Sequence, residues 1–144
     1  MVGPIQSNKI KIAINLFTAI HSVEKIKTLK IINENITSDS TIEELFLQVN
    51  ISKESSKSGI YIEDMEKFFI EAKNFSKINI NGLMTLPPQD EEPSLYFALL
   101  NKLSKKNMLK YLSMGMSNDF ETAIALGATH IRVGEAIMGP RNKN

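Results

Sequence analysis

Within Ser113–Gly139, SMGMSNDFETAIALGATHIRVGEAIMG, two glycine turns follow one another closely, and the residues around them have the types needed to hold an anion. Gly115 lets the backbone turn sharply, and Ser117 offers a hydroxyl just beyond it. Asn118 with Glu121 three residues later has the N-x-x-E form of a capping box, which predicts a helix start here. A helix N-terminus presents unpaired N–H groups and a partial positive charge, and both favour an anion. Gly134 plays the same part after a strand that carries Arg132. The last two strands of a (β/α)8 barrel commonly frame a phosphate site in this way. The alternative is that both glycines make ordinary strand-to-helix turns and that Ser117 is only a cap.

Of the 17 basic residues only two, Arg132 and Arg141, are arginine. Lysine can lose its proton when buried, whereas guanidinium stays charged and presents a planar fork. Arg132 inside an apolar strand pattern is therefore a ligand candidate, with a barrel-wall ion pair as the other reading. His21 ends an apolar run and reads as a hydrogen-bonded strand-end histidine or a functional group. His130 opens a strand. The loop SKESSKSG (Ser52–Gly59) is either a mobile lid whose Lys57 reaches an anion or a solvated connection. Asp90–Glu92 offers carboxylates without a spaced histidine partner, so no metal site is expected.

These residues need elements to position them, and the chain alternates short apolar runs with amphipathic segments. Runs at Phe17–Val23, Glu44–Ser52, Ile80–Leu86, Leu109–Ser117 and His130–Gly134 read as strands buried on both faces. Helical stripes follow them: Val23, Ile26, Leu29, Ile32; Ile62, Met65, Phe69, Ala72, Phe75; Leu95, Leu99, Leu103; and Phe120, Ala123, Ile124. Val2–Ile5 reads as one more strand end, with a helix from Ser7. Six strand–helix units, the first clipped, predict an α/β fold with a parallel sheet, doubly wound or barrel.

At 144 residues with 42% hydrophobic content, the chain suffices for one domain and one core. A net charge of +1 argues against a dedicated nucleic-acid surface. The absence of cysteine excludes disulfides, thiolate zinc sites and thiol catalysis. No stretch has the length of a membrane span and the N-terminus lacks a signal-peptide core, so a cytoplasmic protein without a membrane partner is expected.

GPIQSNK, QVNISKESSKSG, GLMTLPP and the Ser113–Gly139 stretch occur in the order seen in pyridoxal phosphate homeostasis proteins, which the chain resembles along essentially its whole length. That family is similar to the N-terminal barrel domain of alanine racemases, in the fold-type III class. The resemblance implies a (β/α)8 barrel that binds pyridoxal 5′-phosphate and supports vitamin B6 balance without catalysis. It implies that Ser117 and Gly134 hold the phosphate, with Gly115 in the first turn, and that Arg132 faces the pyridine nitrogen. It also implies that residues 1–144 are one incomplete barrel domain, strands three to eight, lacking the first two strand–helix units and the Schiff-base lysine on the first strand. Cofactor binding is then non-covalent at best. Glu135 departs from the Thr or Ser of many relatives, so only its N–H, and not its side chain, suits a phosphate. The exposed barrel edges are expected to self-associate or to pair with a missing N-terminal part. Racemization is not expected, because it needs the lysine and a second acid/base group; a non-functional remnant and a phosphate-binding barrel unrelated to vitamin B6 are the remaining alternatives.

Overall fold

The computed structural model of the chain describes residues 1–140; Arg141–Asn144, the end of the expected 1–144 domain, lie outside the described residues. After a 3-10 turn at Ser7–Lys9 and helix α1 (Ile10–Leu16), strands and helices alternate. They are β1 (Ala19–Val23), α2 (Ile26–Asn35), β2 (Glu44–Asn50), a two-residue β3 (Ile60–Tyr61), α3 (Met65–Ala72), β4 (Ile80–Met84), α4 (Ser94–Lys106), β5 (Tyr111–Met116), α5 (Phe120–Ala125), β6 (His130–Arg132) and α6 (Glu135–Met138).

The sheet runs β1-β2-β4-β5-β6, with β3 set against β2, and every pairing is parallel. Parallel strands need crossover connections, which the helices supply, so the sheet's two faces have different fates. Ile20, Leu45, Leu47, Val49, Leu83, Leu112 and Met114 pack on one face against Ile10 and Ile14 of α1, Leu29 and Ile32 of α2, Met65 of α3 and Phe97 and Leu100 of α4. The other face carries a ring cluster of His21, Phe46, Tyr111 and His130, with Ser113 and Arg132 on the same side. Gly82 of β4 makes room for it: a Cβ there would stand 2.7 Å from the Phe46 ring and 2.4 Å from the Tyr111 carbonyl oxygen.

One hydrogen bond reveals the shape of the sheet. In a flat sheet β1 and β5, separated by β2 and β4, would stand about 14 Å apart. Yet His21 Nδ1 of β1 lies 2.7 Å from Ser113 Oγ of β5. The sheet is curled, with those side chains on its concave face. This is the half-barrel expected from the sequence.

Three local expectations are corrected. Val2–Ile5 is not a strand; Met1 lies against the β1 edge, where its carbonyl accepts from the His21 N–H at 2.9 Å, and the Gly3 carbonyl accepts from Ser22 Oγ at 2.7 Å. The sixth strand is instead Ile60–Tyr61, too short for its period to show in the sequence. In α4 the core face is Phe97, Leu100 and Ser104, whereas Leu95 is 77% exposed. The Leu95–Leu99–Leu103 spacing is helical, but α4 is rotated to bury the face with the aromatic ring. No helix among the described residues is long and apolar enough to cross a membrane.

Candidate functional site

The two turns of the Ser113–Gly139 stretch meet at the ends of β5 and β6. Gly115 has φ +93°, in the left-handed region, and a Cβ there would lie 2.6 Å from Ala123 Cβ and 3.0 Å from Phe120 Cα. Only glycine lets α5 fold back so closely on β5. Asp119, not Asn118, is the N-cap of α5, and its Oδ1 accepts from the Met116 N–H at 2.5 Å. The expected capping box does not form: no side-chain cap bond serves this helix, which begins at Phe120.

Ser117 joins the turns. Its Oγ accepts from the Gly134 N–H and the Ala136 N–H, both at 3.2 Å. Gly134 serves differently from Gly115: its φ is −122° and a Cβ would meet nothing within 4 Å. It leaves open space over a backbone donor. Glu135 is exposed, and the N–H groups directed at Ser117 are those on either side of it. Helices α5 and α6 have six and four residues, so individual N–H groups matter here more than any summed helix dipole.

Arg132 lies on the concave face beside this cluster. Its Nη1 donates to Ser113 Oγ at 2.7 Å and its Nη2 to the Thr85 carbonyl at 2.8 Å. Burial pulls the guanidinium down to about 10, opposed by the charge of Asp119, so it remains a cation at neutral pH. No ion pair joins it to a carboxylate among the described residues, so the barrel-wall ion pair is not formed. A guanidinium has five donors and no acceptor, and among the described residues two of Arg132's are bonded.

His21 is buried, stacks on Phe46 with ring centroids 4.1 Å apart, and is held neutral. Burial, followed by the nearby His130, N-terminal ammonium and Arg132, lowers its pKa to about 4. His130 takes part in a partly exposed pair with Glu44, Nε2 to Oε2 at 3.4 Å. The Ser52–Gly59 loop bonds to β2 and, among the described residues, not to Ser117, Arg132 or Gly134. Asn50 Nδ2 donates to the Glu54 and Lys57 carbonyls at 2.7 and 2.9 Å, and Gln48 Nε2 to the Ser58 carbonyl at 3.2 Å. Lys57 pairs with Glu54 at 2.9 Å. The loop is therefore pinned to β2, and Lys57 has a partner within it. Sequence reasoning missed the partners of Arg132, although Ser113 and Thr85 both lie in the stretches quoted above; period-two alternation along β5 and β6 was the available signal for Ser113, and no pattern marked the Thr85 carbonyl.

The alanine racemase, N-terminal domain family matches residues 1–142. The chain belongs to this family. Among curated proteins, the pyridoxal phosphate homeostasis protein of Pseudomonas aeruginosa is 36% identical over 98% of the chain and 64% of its own length. That of Aquifex aeolicus is 32% identical over 97% of the chain and 65% of its own. The chain thus spans a little under two thirds of these relatives. Among solved structures, PipY of Synechococcus elongatus without pyridoxal phosphate superposes with a TM-score of 0.84 at 30% identity, over 95% of the chain and 68% of PipY. PipY with pyridoxal phosphate bound gives 0.79 at 29% identity, over the same shares of the two chains. Alanine racemase of Corynebacterium glutamicum, at 19% identity and a TM-score of 0.55 over 88% of the chain and 37% of the racemase, shares the fold.

Proposed function

We propose that this chain binds pyridoxal 5′-phosphate non-covalently and serves intracellular vitamin B6 balance in the cytoplasm rather than catalysis. The observation that carries the reading is the contact of Ser117 with the Gly134 and Ala136 N–H groups, which makes one donor cluster of two turns beside a guanidinium that no carboxylate of the described residues pairs. The binding of pyridoxal phosphate by PipY and the names of the curated relatives support it.

In this reading the Ser117 hydroxyl and the Gly134 and Ala136 N–H groups turn from each other toward phosphate oxygens. Gly115 keeps α5 close enough to β5 for Ser117 to stand there. Arg132 faces the ring nitrogen. When bound, the cofactor supplies an electrophilic aldehyde and an electron-withdrawing ring. A permanent cation at the ring nitrogen disfavours its protonation, so Arg132 weakens that electron withdrawal compared with a carboxylate partner. Cofactor held but not driven toward carbanion chemistry suits a binding role.

Titration of the purified chain with pyridoxal 5′-phosphate, followed by absorbance and calorimetry, tests the reading. Saturable binding is expected, weakened about tenfold or more by Ser117→Ala, the scale of one hydrogen bond to a charged group. Borohydride treatment followed by mass spectrometry should find no specific pyridoxyl adduct. A wild-type chain that does not bind overturns the assignment, and a stoichiometric adduct on one lysine overturns its non-covalent part.

A further inference from the structure

We infer that Ser113 and His21 are positioning residues for Arg132: a one-way hydrogen-bond chain across the concave face fixes the guanidinium without bonding it to a carboxylate. The inference rests on the pyridoxal phosphate reading only for the ligand that Arg132 meets.

The chain is directional because its first member has no choice. Arg132 can only donate, and its Nη1 gives a proton to Ser113 Oγ at 2.7 Å. Ser113, itself fully buried, must then place its own proton elsewhere, and His21 Nδ1 lies 2.7 Å from the same oxygen. An Nδ1 that accepts leaves the His21 proton on Nε2 and the ring neutral. Burial against Phe46, beside other cationic groups, favours the same state. The Thr85 carbonyl fixes the other arm of the fork at 2.8 Å. Thus β1, β5, β6 and the residue that follows β4 all contribute to the orientation of one side chain.

Each of these partners is uncharged. A carboxylate would hold a guanidinium at least as firmly, since paired, charge-assisted bonds are the stronger kind. It would also neutralise the site's cation. A serine, a carbonyl and a neutral imidazole give orientation without direct neutralisation, so the remaining N–H groups of Arg132 keep a charge that, among the described residues, only the non-bonded carboxylate of Asp119 offsets.

The test uses the whole chain, first without ligand. Nitrogen NMR of His21 at neutral pH should show Nδ1 unprotonated and Nε2 protonated; the opposite tautomer or an imidazolium overturns the chain. Rotation of the Arg132 guanidinium should be slow in wild type and faster in Ser113→Ala and in His21→Phe, which keeps a ring on Phe46 but lacks the acceptor. Unchanged rotation overturns the positioning role. With ligand, both variants should bind pyridoxal 5′-phosphate about tenfold more weakly, one hydrogen bond's worth, and inorganic phosphate, the probe for the Ser117 cluster, within about twofold of wild type, well under that scale. His21→Asn, which can place an acceptor near Nδ1, should recover most of the loss. Equal weakening toward both probes identifies a general structural role and overturns the proposal. Should wild type bind neither probe, the cofactor reading fails, while the tautomer and rotation measurements still decide the chain.

Discussion

Two glycines in one motif are not equivalent. Gly115→Ala forces a left-handed backbone and drives a methyl into Ala123, which is expected to cost about 2–4 kcal/mol in urea denaturation. Gly134→Ala meets open space at an ordinary φ and is expected to stay within about 0.5 kcal/mol. A similar loss at both positions would contradict this distinction. His21 makes stability depend on pH. The unfolded chain takes up its proton near the ordinary histidine value of about 6.5, the folded chain only near 4. Between those values the unfolded state binds more protons, so stability is complete above the window and falls as the pH drops through it. Denaturant midpoints measured from pH 7 to pH 4 should fall more steeply in wild type than in His21→Phe. The site's residue types were legible in the sequence because Gly115, Ser117, Arg132 and Gly134 sit in short motifs. The neutrality of His21 was not, because it depends on a ring and a serine contributed by other strands.

At the scale of elements, strands β1, β2, β4, β5 and β6 were readable as apolar runs, since a parallel sheet buries both faces of its middle strands. Helix orientation was less readable. In α4 two stripes have helical spacing, and the sheet selects Phe97 and Leu100 over Leu95 and Leu99. Leu100→Ala is accordingly expected to cost about 2–5 kcal/mol, and Leu95→Ala no more than about 0.5 kcal/mol; reversed magnitudes would return the buried face to the leucine stripe. The Ser52–Gly59 loop was ambiguous in sequence because serine, lysine and glycine suit both a lid and a fixed turn. Asn50 decides it, with two donated bonds to loop carbonyls from a buried position that leaves its Oδ1 without a partner among the described residues. Asn50→Ala should cost about 1–3 kcal/mol by orphaning those carbonyls and speed amide exchange across residues 53–58. Exchange unchanged by the substitution would show that the loop is held by other contacts.

For the molecule as a whole, the described sheet ends at β1 and β6, and parallel barrels close precisely to avoid such edges. Met1 bonds part of the β1 edge. At β6 the strand is three residues long, and its central Ile131 is 42% exposed. Self-association at micromolar concentration is the expected result in sedimentation velocity, reduced by Ile131→Lys; a monomer at every concentration would argue that the edges are protected. Curvature itself was only implied by the sequence, through the alternation of strands and helices and through family resemblance. No local pattern encodes that residues 92 apart, His21 and Ser113, will touch. That contact works as a tie rod across an arch. Flattening the arch means breaking the tie, so whatever tightens Arg132 at one end should stiffen the span between. Amides of β2 and β4 that no ligand reaches are therefore expected to exchange more slowly when the Arg132 site is filled.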